Sequence, residues 1–321
     1  MNPFAEKKND QVRELGEREL IQKISFWLGA STPPSPFGIG DDAAIIKASK
    51  KDLVIAKDSL VLNKHFDEST PPQLVGAKLL KRNISDLAAM GANPTEALIA
   101  CLIPETTSTE WLEGFYQGLT KTADAFSISV IGGDITSTFA ELAFTLTLIG
   151  QSGNRLLTRK SGRSGDTIWV TGSLGGSIQG KHLEFDPRLK EGQWLACHPE
   201  VTSGMDISDG LASDLLNICP NDCNVEIETN ELPLSDAAKT IAKDSGENAI
   251  EHGLTDGEDY ELVFTLNKSC GSSDFLQAWK GVFDLPITRI GKLVTRSDSS
   301  EERIRYLGDL NELKSKGYEH F

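Results

Sequence analysis

The stretch PPQLVGAKLLKRNISDLAAMGANPTEALIACLI, residues 71–103, predicts a helix followed by a strand. Two prolines open the helix at positions where the absent N–H groups have no helical partner, and Gly91 provides a stop. The segment EALIACLI is short and apolar, which is typical of a buried strand. A helix that leads directly into a strand predicts an α/β fold.

The same alternation extends in both directions along the chain. Helices are expected at 11–28 and 108–125, because apolar residues recur there at helical spacing. Strands are expected at AAIIKA, DLVIAKDSLVL, ISVIGGD and ELAFTLTLIG. A polar link follows at about residue 151, and the second half begins with the strand-like TIWVTG and alternates again. The simplest architecture is therefore two α/β halves joined near residue 150.

Composition excludes several classes of function. The 321 residues include 32 Lys and Arg against 47 Asp and Glu, a net charge of -15. This balance disfavours nucleic acid as a partner, since binding to phosphate backbones needs a basic face. No segment approaches the roughly 20 apolar residues of a membrane span, and the N-terminus lacks a signal-peptide core. The five scattered cysteines predict reduced thiols in a cytoplasmic protein.

Acidic residues at the ends of predicted elements carry the chemical signal. They stand beside small residues, and they are Asp41, Asp42, Asp58, Asp86, Asp134, Asp206, Asp209, Asp256, Glu258 and Asp259. Carboxylate oxygens suit Mg²⁺, which bridges protein acids to substrate phosphates. Clustered acids repel one another without a cation, so the pattern favours a metal-phosphate site. The sequence contains no GxxxxGK[ST] motif, and a P-loop is therefore absent.

Each acid also has a purely structural interpretation. An Asp-Gly pair is a common turn signal, and Ser208 or Asp209 could instead cap the helix that follows. Asp134 could be a turn residue after two glycines, and His65 an exposed loop histidine. Asp86 is harder to explain in this way, because its apolar neighbours make an unpartnered charge costly. From single motifs alone, these alternatives stay open.

Taken in order, the motifs are far more specific. They are GIGDDAA at 38–44, D-x-L-x(4)-HF at 58–66, N-x-SDLAAMGA-x-P at 83–94, IGGD at 131–134, GD-x-I-x-VTG at 165–172, MDISDGLASDL at 205–215 and GEDYEL at 257–262. This ordered set resembles the thiamine-monophosphate kinase family over nearly the entire chain. The wider superfamily includes aminoimidazole ribonucleotide synthetase, selenophosphate synthetase and a hydrogenase maturation protein. SDLAAMGA-x-P together with GEDYEL points to the thiamine branch.

The resemblance implies a reaction and a fold. ATP and thiamine monophosphate would give ADP and thiamine diphosphate, the last step of thiamine diphosphate biosynthesis, with several Mg²⁺ ions as cofactors. The fold would be a two-domain, synthetase-like α/β fold. Residues 1–150 would bind ATP and metal, with a mixed sheet that forms a β-barrel in a homodimer. Residues 151–321, a sheet flanked by helices, would close over the substrate.

The resemblance also assigns roles to individual residues. The metal ligands would be Asp42, Asp58, Asp86, Asp134, Asp206 and Asp209. Contacts to ATP would come from Gly133, Asp134, Arg159 and Ser208. Contacts to thiamine monophosphate would come from His65, Glu258 and Tyr318. No residue is expected to act as an acid or base, because the attacking phosphate oxygen is already ionised.

Some positions depart from the family pattern. Ala56 and Lys57 stand where a hydroxyl residue and a threonine usually precede the aspartate, Ile135 replaces a threonine, and Asp256 replaces a glycine. The segment SIQGKHLEFDPR is shorter than usual. Two alternatives therefore remain: another ATP-using enzyme of the superfamily, or a non-catalytic protein that binds nucleotide or thiamine phosphate. Only Ala56 and Lys57 favour the second.

Overall fold

The described chain divides into two units of α/β structure. A computed structural model describes residues 1–35, 37–39, 44–47, 49–246, 248–296, 302–308 and 310. The first unit comprises Met1–Leu87 and Asn93–Ser152, and the second comprises Ala88–Ala92 and Gly153–Phe321.

The first unit alternates helices and strands, with short 3₁₀ turns near the N-terminus. Its elements are α1 Gly16–Leu28, β1 Leu53–Val61, α2 Pro72–Met90, β2 Asn93–Pro104, α3 Thr109–Phe126, β3 Ser129–Thr138 and β4 Ala143–Gln151, the last turn of α2 belonging to the second unit. The predicted helix after the two prolines is confirmed, and it ends before Gly91 as expected. The helix predicted at 108–125 is also confirmed, and the Ser108 side chain caps it by accepting a hydrogen bond from the N–H of Trp111.

The sheet of the first unit is mixed and has four strands in the order β1-β4-β2-β3. The β1–β4 and β4–β2 pairs are antiparallel, and the β2–β3 pair is parallel. One face is buried, with Leu60, Phe144 and Leu146 fully inaccessible. The Phe144 ring stacks on Phe115 of α3 at 4.0 Å between centroids. The mixed sheet is as predicted, but the described strands form an open sheet, and no closed barrel is seen.

The segment AAIIKA, predicted to be a strand, does not form one in its described residues, 44–47. Residues 44–47 have no regular secondary structure, while residues 43 and 48 lie outside the described residues. Ile45 and Ile46 are exposed, so apolar composition alone did not secure pairing. A strand forms only where a second strand supplies hydrogen-bond partners, and no described strand pairs with this segment.

The second unit carries the larger sheet and most of the short helices. Its elements are β5 Thr167–Thr171, α4 Lys181–Glu184, α5 Leu189–Cys197, β6 Val201–Asp206, α6 Leu211–Ile218, β7 Cys223–Glu228, α7 Asp236–Ser245, α8 Ala249–Thr255, β8 Leu262–Leu266, α9 Ser272–Lys280, β9 Ile287–Thr295 and β10 Ile304–Leu307. The six strands lie in the order β10-β7-β9-β5-β8-β6. Only the β10–β7 pair is parallel among these neighbours.

Two apolar clusters pack on the strands of this sheet. One joins α6 to strands β5, β7 and β8 through side chains that include Leu211, Leu215 and Val263. The other joins α5 and α9 to β5 and β8 through Leu195, Trp279 and other side chains. Since side chains of a strand alternate between faces, helices cover both faces of the sheet. The second unit is therefore a sheet flanked by helices.

Two further properties concern the chain as a whole. Among the residues that the structure describes, no helix is both long enough and apolar enough to cross a bilayer. All five cysteines are free thiols, of which Cys101, Cys219 and Cys223 are buried.

Candidate functional site

The predicted site residues fall into both units. Those in the first unit are Asp58, His65, Asp86, Gly133 and Asp134. Those in the second unit are Arg159, Asp206, Ser208, Asp209 and Glu258. Asp42 and Tyr318 lie outside the described residues, as does Asp41.

In the first unit, Asp58 and Asp86 are linked through α2. Asp58 lies within β1 rather than at the end of the strand, and its carboxylate forms an ion pair with Arg82 of α2 at 3.5 Å. Arg82 also donates to the carbonyl oxygen of Ser59 at 3.2 Å. Asp86 follows Arg82 by four residues, which places both on the same side of the helix. The structure therefore sets Asp58 beside the helical face that carries Asp86.

Gly133 and Asp134 line a cavity of about 1100 Å³ within the first unit. Other walls come from α1, from described residues of the 38–46 segment and from Tyr116 of α3. At Gly133 a Cβ atom would lie 1.9 Å from the carbonyl oxygen of Ile99, so only glycine allows this approach of β3 to β2. Asp134 is exposed. This cavity brings Gly133 and Asp134, two of the predicted ATP contacts, together with Gly38, Ile39 and Ala44, the described residues of the GIGDDAA stretch.

His65 is held by the turn that follows β1. Its Nδ1 atom accepts a hydrogen bond from the N–H of Val61 at 3.0 Å, so the neutral ring carries its proton on Nε2. Its carbonyl oxygen accepts from the buried Lys78 ammonium at 3.0 Å. The ring is half-buried rather than exposed, so the interpretation as an exposed loop histidine is wrong.

In the second unit, two loops bring four predicted residues together. Asp206 ends β6, and Ser208 and Asp209 follow it. The N–H of Glu258 donates to the carbonyl oxygen of Ser208 at 2.7 Å, and the N–H of Tyr260 donates to that of Ile207 at 2.9 Å. Residues that were predicted to contact metal, ATP and substrate, from motifs about 50 positions apart, thus lie on two loops that backbone hydrogen bonds join.

The backbone around Glu258 is unusual. Glu258 has φ 53° and Tyr260 has φ 50°, a region that non-glycine residues rarely adopt. The Tyr260 hydroxyl donates to a Glu258 carboxylate oxygen at 3.1 Å. Strained backbone of this kind persists where neighbouring contacts determine it, often at functional sites.

The structural interpretation of the Asp-Gly turn is wrong in one respect. Helix α6 begins at Leu211, but its N-cap residue is Gly210 and no side chain caps it. Neither Ser208 nor Asp209 therefore serves as the cap. Gly210 has φ 101°, and this conformation, unfavourable for other residues, turns the chain from β6 into α6.

Sequence reasoning missed the structural use of two acidic side chains in the same region, the buried Asp259 and the half-buried Asp256. Asp259 accepts from the N–H of Gly175 at 2.9 Å, and Asp256 accepts from the N–H of Gly176 at 2.6 Å. Both acids were included in the predicted metal-phosphate pattern, yet here they anchor a glycine-rich loop. Their partners lie 84 and 80 positions away, so no local signal could have revealed this use.

Glu261 is the centre of a buried charge network. It accepts two hydrogen bonds from Arg188, each of 2.7 Å, one from Lys181 at 2.9 Å and one from Thr171 at 2.8 Å. Burial alone would raise the pKa of Glu261, but its hydrogen bonds to Arg188 and the charges of Arg188 and Lys181 hold that pKa below its ordinary value. The network fixes the segment between β5 and α5 to the start of β8.

Two of the positions that depart from the family pattern, Ala56 and Lys57, lie on β1. Lys57 is exposed and Ala56 is half-buried. In the strand register Lys57 pairs with Thr147 and Asp58 with Leu146, so the Lys57 and Asp58 side chains point to opposite faces of the sheet. Arg159 is also exposed, in the loop that precedes β5.

The described residues contain no preformed metal centre. No three His, Cys, Asp or Glu side chains in this part of the chain, which omits residues 40–43, lie close enough to hold one ion. The assignment of metal ligands therefore stays a prediction.

The sequence of this chain is similar to those of known proteins. Residues 40–152 match the family model described as AIR synthase related protein, N-terminal domain. The thiamine-monophosphate kinase of Escherichia coli (strain K12) is 34% identical over 333 residues, covering 95% of this chain and 98% of the relative.

Solved structures show the same similarity. AaThiL complexed with AMPPCP and TMP has a TM-score of 0.74 at 30% identity, covering 97% of this chain and 99% of that one. The hydrogenase maturation protein HypE of E. coli has a TM-score of 0.71 at 19% identity, covering 89% and 94%. The likeness to HypE concerns the fold alone.

Proposed function

The chain belongs to the thiamine-monophosphate kinase family, and we infer that it transfers the γ-phosphate of ATP to thiamine monophosphate, giving ADP and thiamine diphosphate. The observation that carries this conclusion is the structural match to AaThiL, which covers 97% of this chain. The matched structure is a complex of AaThiL with AMPPCP and TMP. The enzyme is therefore a phosphotransferase with a phosphate group as acceptor.

The chemistry needs positioning and charge neutralisation more than acid–base groups. Donor and acceptor are both anions, and the attacking oxygen is ionised at neutral pH. The residues around Ser208, Asp209 and Glu258 are well suited to positioning, because hydrogen bonds link their two loops through the backbone. We assign the ATP contacts to Gly133, Asp134, Arg159 and Ser208, and the substrate contacts to His65, Glu258 and Tyr318.

Mg²⁺ fits the donor set of this chain. Burial, and after it the charges of Asp206 and Asp209, raise the pKa of Asp214, so the loop concentrates hard oxygen donors and negative charge. The residues that would hold several ions are Asp42, Asp58, Asp86, Asp134, Asp206 and Asp209. When bound, Mg²⁺ would neutralise the phosphates so that the two anions can approach.

A homodimer is part of the proposal. The face of the first sheet opposite the buried one exposes Leu53, Ile55 and Leu102, and the strand pairing places them on one side. Exposed apolar side chains on one open sheet mark a surface for association. The barrel would form when a second copy closes this sheet.

We place the reaction in the cytoplasm. The free state of all five cysteines supports this, since disulfides are rare in reducing compartments.

The experiment is an acceptor panel at fixed ATP and Mg²⁺. Thiamine monophosphate, unphosphorylated thiamine and an unrelated phosphate monoester are compared by coupled ADP release, and the product is identified by chromatography. Turnover is expected with thiamine monophosphate alone. Turnover with another acceptor would favour a different enzyme of the superfamily, and tight nucleotide binding with no turnover would favour a binding protein.

A matched pair of variants tests the site. Asp209→Asn is expected to lower kcat by about 100-fold, as is typical when one electrostatic contact to the reacting group is lost. Asp244→Asn removes an exposed carboxylate on α7 and should leave kcat unchanged. Equal kcat values for the two variants would exclude Asp209 from the site.

A further inference from the structure

We propose that Asp214 is a positioning residue whose buried carboxylate sets the conformation of the 206–210 loop, the loop that carries Asp206, Ser208 and Asp209. This inference rests on the proposed function, because it assigns a role within the phosphoryl-transfer site. No motif-based role was predicted for Asp214, although it falls within the MDISDGLASDL stretch.

The geometry carries the inference. Asp214 lies in the first turn of α6, and its side chain is 1% exposed. One carboxylate oxygen, Oδ2, accepts from the N–H of Ser208 at 3.0 Å and from the N–H of Asp209 at 3.2 Å. Two consecutive N–H groups on one oxygen fix the orientation of both peptides. The directions of the Cα–Cβ bonds of Ser208 and Asp209, from which their side chains start, follow from these peptides.

The loop is held from two sides. On the carbonyl side, Ile207 and Ser208 accept from the N–H groups of Tyr260 and Glu258. On the N–H side, the Asp214 carboxylate supplies the acceptor. Without Asp214, two N–H groups next to a buried position would lose their partner, and each unsatisfied group costs roughly 1–3 kcal/mol when buried.

Burying the Asp214 carboxyl to make these contacts costs free energy of folding. Its other oxygen, Oδ1, has no hydrogen-bond partner among the described residues. A local arrangement that opposes stability is expected where it supports function. Asp214 therefore acts through the geometry of its two contacts, which give the 206–210 loop one conformation.

The test compares Asp214→Ala and Asp214→Asn with the exposed-site control Asp244→Ala. The first readout is hydrogen exchange of the Ser208 and Asp209 amides in the protein without ligands. The second is kcat, together with the apparent KM for ATP and the Mg²⁺ concentration at half-maximal rate. Circular dichroism confirms that each variant is folded.

Asp214→Ala is expected to speed exchange of both amides at least about 10-fold, and to weaken Mg²⁺ activation or lower kcat by about 10-fold to 100-fold, as for groups that orient ligands. Asp214→Asn retains an oxygen acceptor for both amides, so exchange and kinetics should return close to wild type. Asp244→Ala should match wild type in every measurement.

Three results would overturn the inference. They are unchanged amide exchange in Asp214→Ala, faster exchange with unchanged kinetics, and a folded Asp214→Asn that is as defective as the alanine variant. If the alanine variant does not fold, Asp214→Ser replaces it, since its shorter side chain does not reach the position of Oδ2, and the same three results decide. A failure of the proposed function would appear instead as absent kinase activity in the wild-type protein, which leaves the exchange result intact.

Discussion

At the scale of single residues, Asp259 and Glu261 show how burial and charged partners shift the pKa of a carboxyl in opposite directions. Both are about 1% exposed and stand two positions apart. Glu261 has two cations in direct contact, and its pKa is lowered. The Asp259 carboxyl accepts a hydrogen bond from the backbone N–H of Gly175, and its nearest cation, the Lys181 ammonium, lies 3.9 Å away. Burial dominates there and raises the pKa of Asp259 to about 7.

This difference predicts a pH dependence of stability. In the unfolded chain the Asp259 carboxyl titrates near its ordinary value of 3.8, whereas in the folded protein it keeps its proton up to about pH 7. Between these values the folded state binds more protons, so the contribution of Asp259 to the free energy of unfolding falls as pH rises.

Asp259→Asn removes this contribution. The difference in free energy of unfolding between variant and wild type should shift in favour of the variant by roughly 1 kcal/mol for each pH unit between about 4 and 7. Urea unfolding at several pH values measures it. A difference that does not change with pH would show that Asp259 titrates normally in the fold.

Sequence patterns could predict some residues of the site but not others. Asp209 and Glu258 were predicted as site residues because their ordered motifs resemble those of a known family. Asp259 and Glu261 received no structural role, because Gly175 and Arg188, their partners, lie many positions away in the chain. Asp214 received no predicted role, because its contacts run to backbone N–H groups, which every residue type except proline supplies.

At the scale of elements, the apolar periodicity of the sequence predicted helices, but it did not determine which strands pair. Helices α2 and α3 follow from apolar spacing with clear start and stop residues. Whether two strands pair in parallel depends on long-range contacts, so the mixed order β1-β4-β2-β3 could not be derived from local pattern. The segment AAIIKA has strand composition but no described partner strand.

The β2–β3 pair predicts different costs for two neighbouring glycines. In Gly133→Ala the new Cβ would lie 1.9 Å from the Ile99 carbonyl oxygen, so the strands must separate. We expect a loss of roughly 1–3 kcal/mol in the free energy of unfolding and weaker nucleotide binding. Gly132→Ala is the control, since its nearest contact is a flexible Leu98 methyl at 3.3 Å. Denaturant midpoints and nucleotide titrations compare the two, and equal effects would contradict this account of β3.

At the scale of the whole molecule, association and chemistry are the two remaining questions. The net charge of -15 is consistent with small cations and phosphorylated ligands held by metal, rather than with nucleic acid. The proposed homodimer would need a second copy of the chain to close the open four-stranded sheet of the first unit.

The dimer proposal predicts an effect of Ile55→Glu. Ile55 is 62% exposed on the open face of the first sheet, and a charge there would oppose burial against a second copy. Sedimentation should give a mass near twice that of the chain for wild type and near the chain mass for the variant. Val282→Glu, at a position 60% exposed in the second unit, should behave like wild type. Monomeric wild-type protein at micromolar concentration would contradict the proposal.

The most direct measurement follows the phosphate itself. The purified protein is incubated with thiamine monophosphate, Mg²⁺ and ATP radiolabelled on its γ-phosphate, and the products are separated. We predict that the label enters thiamine diphosphate in equal amount to the ADP formed. Label found only in inorganic phosphate, or retained on ATP that the protein has bound, would contradict the assignment.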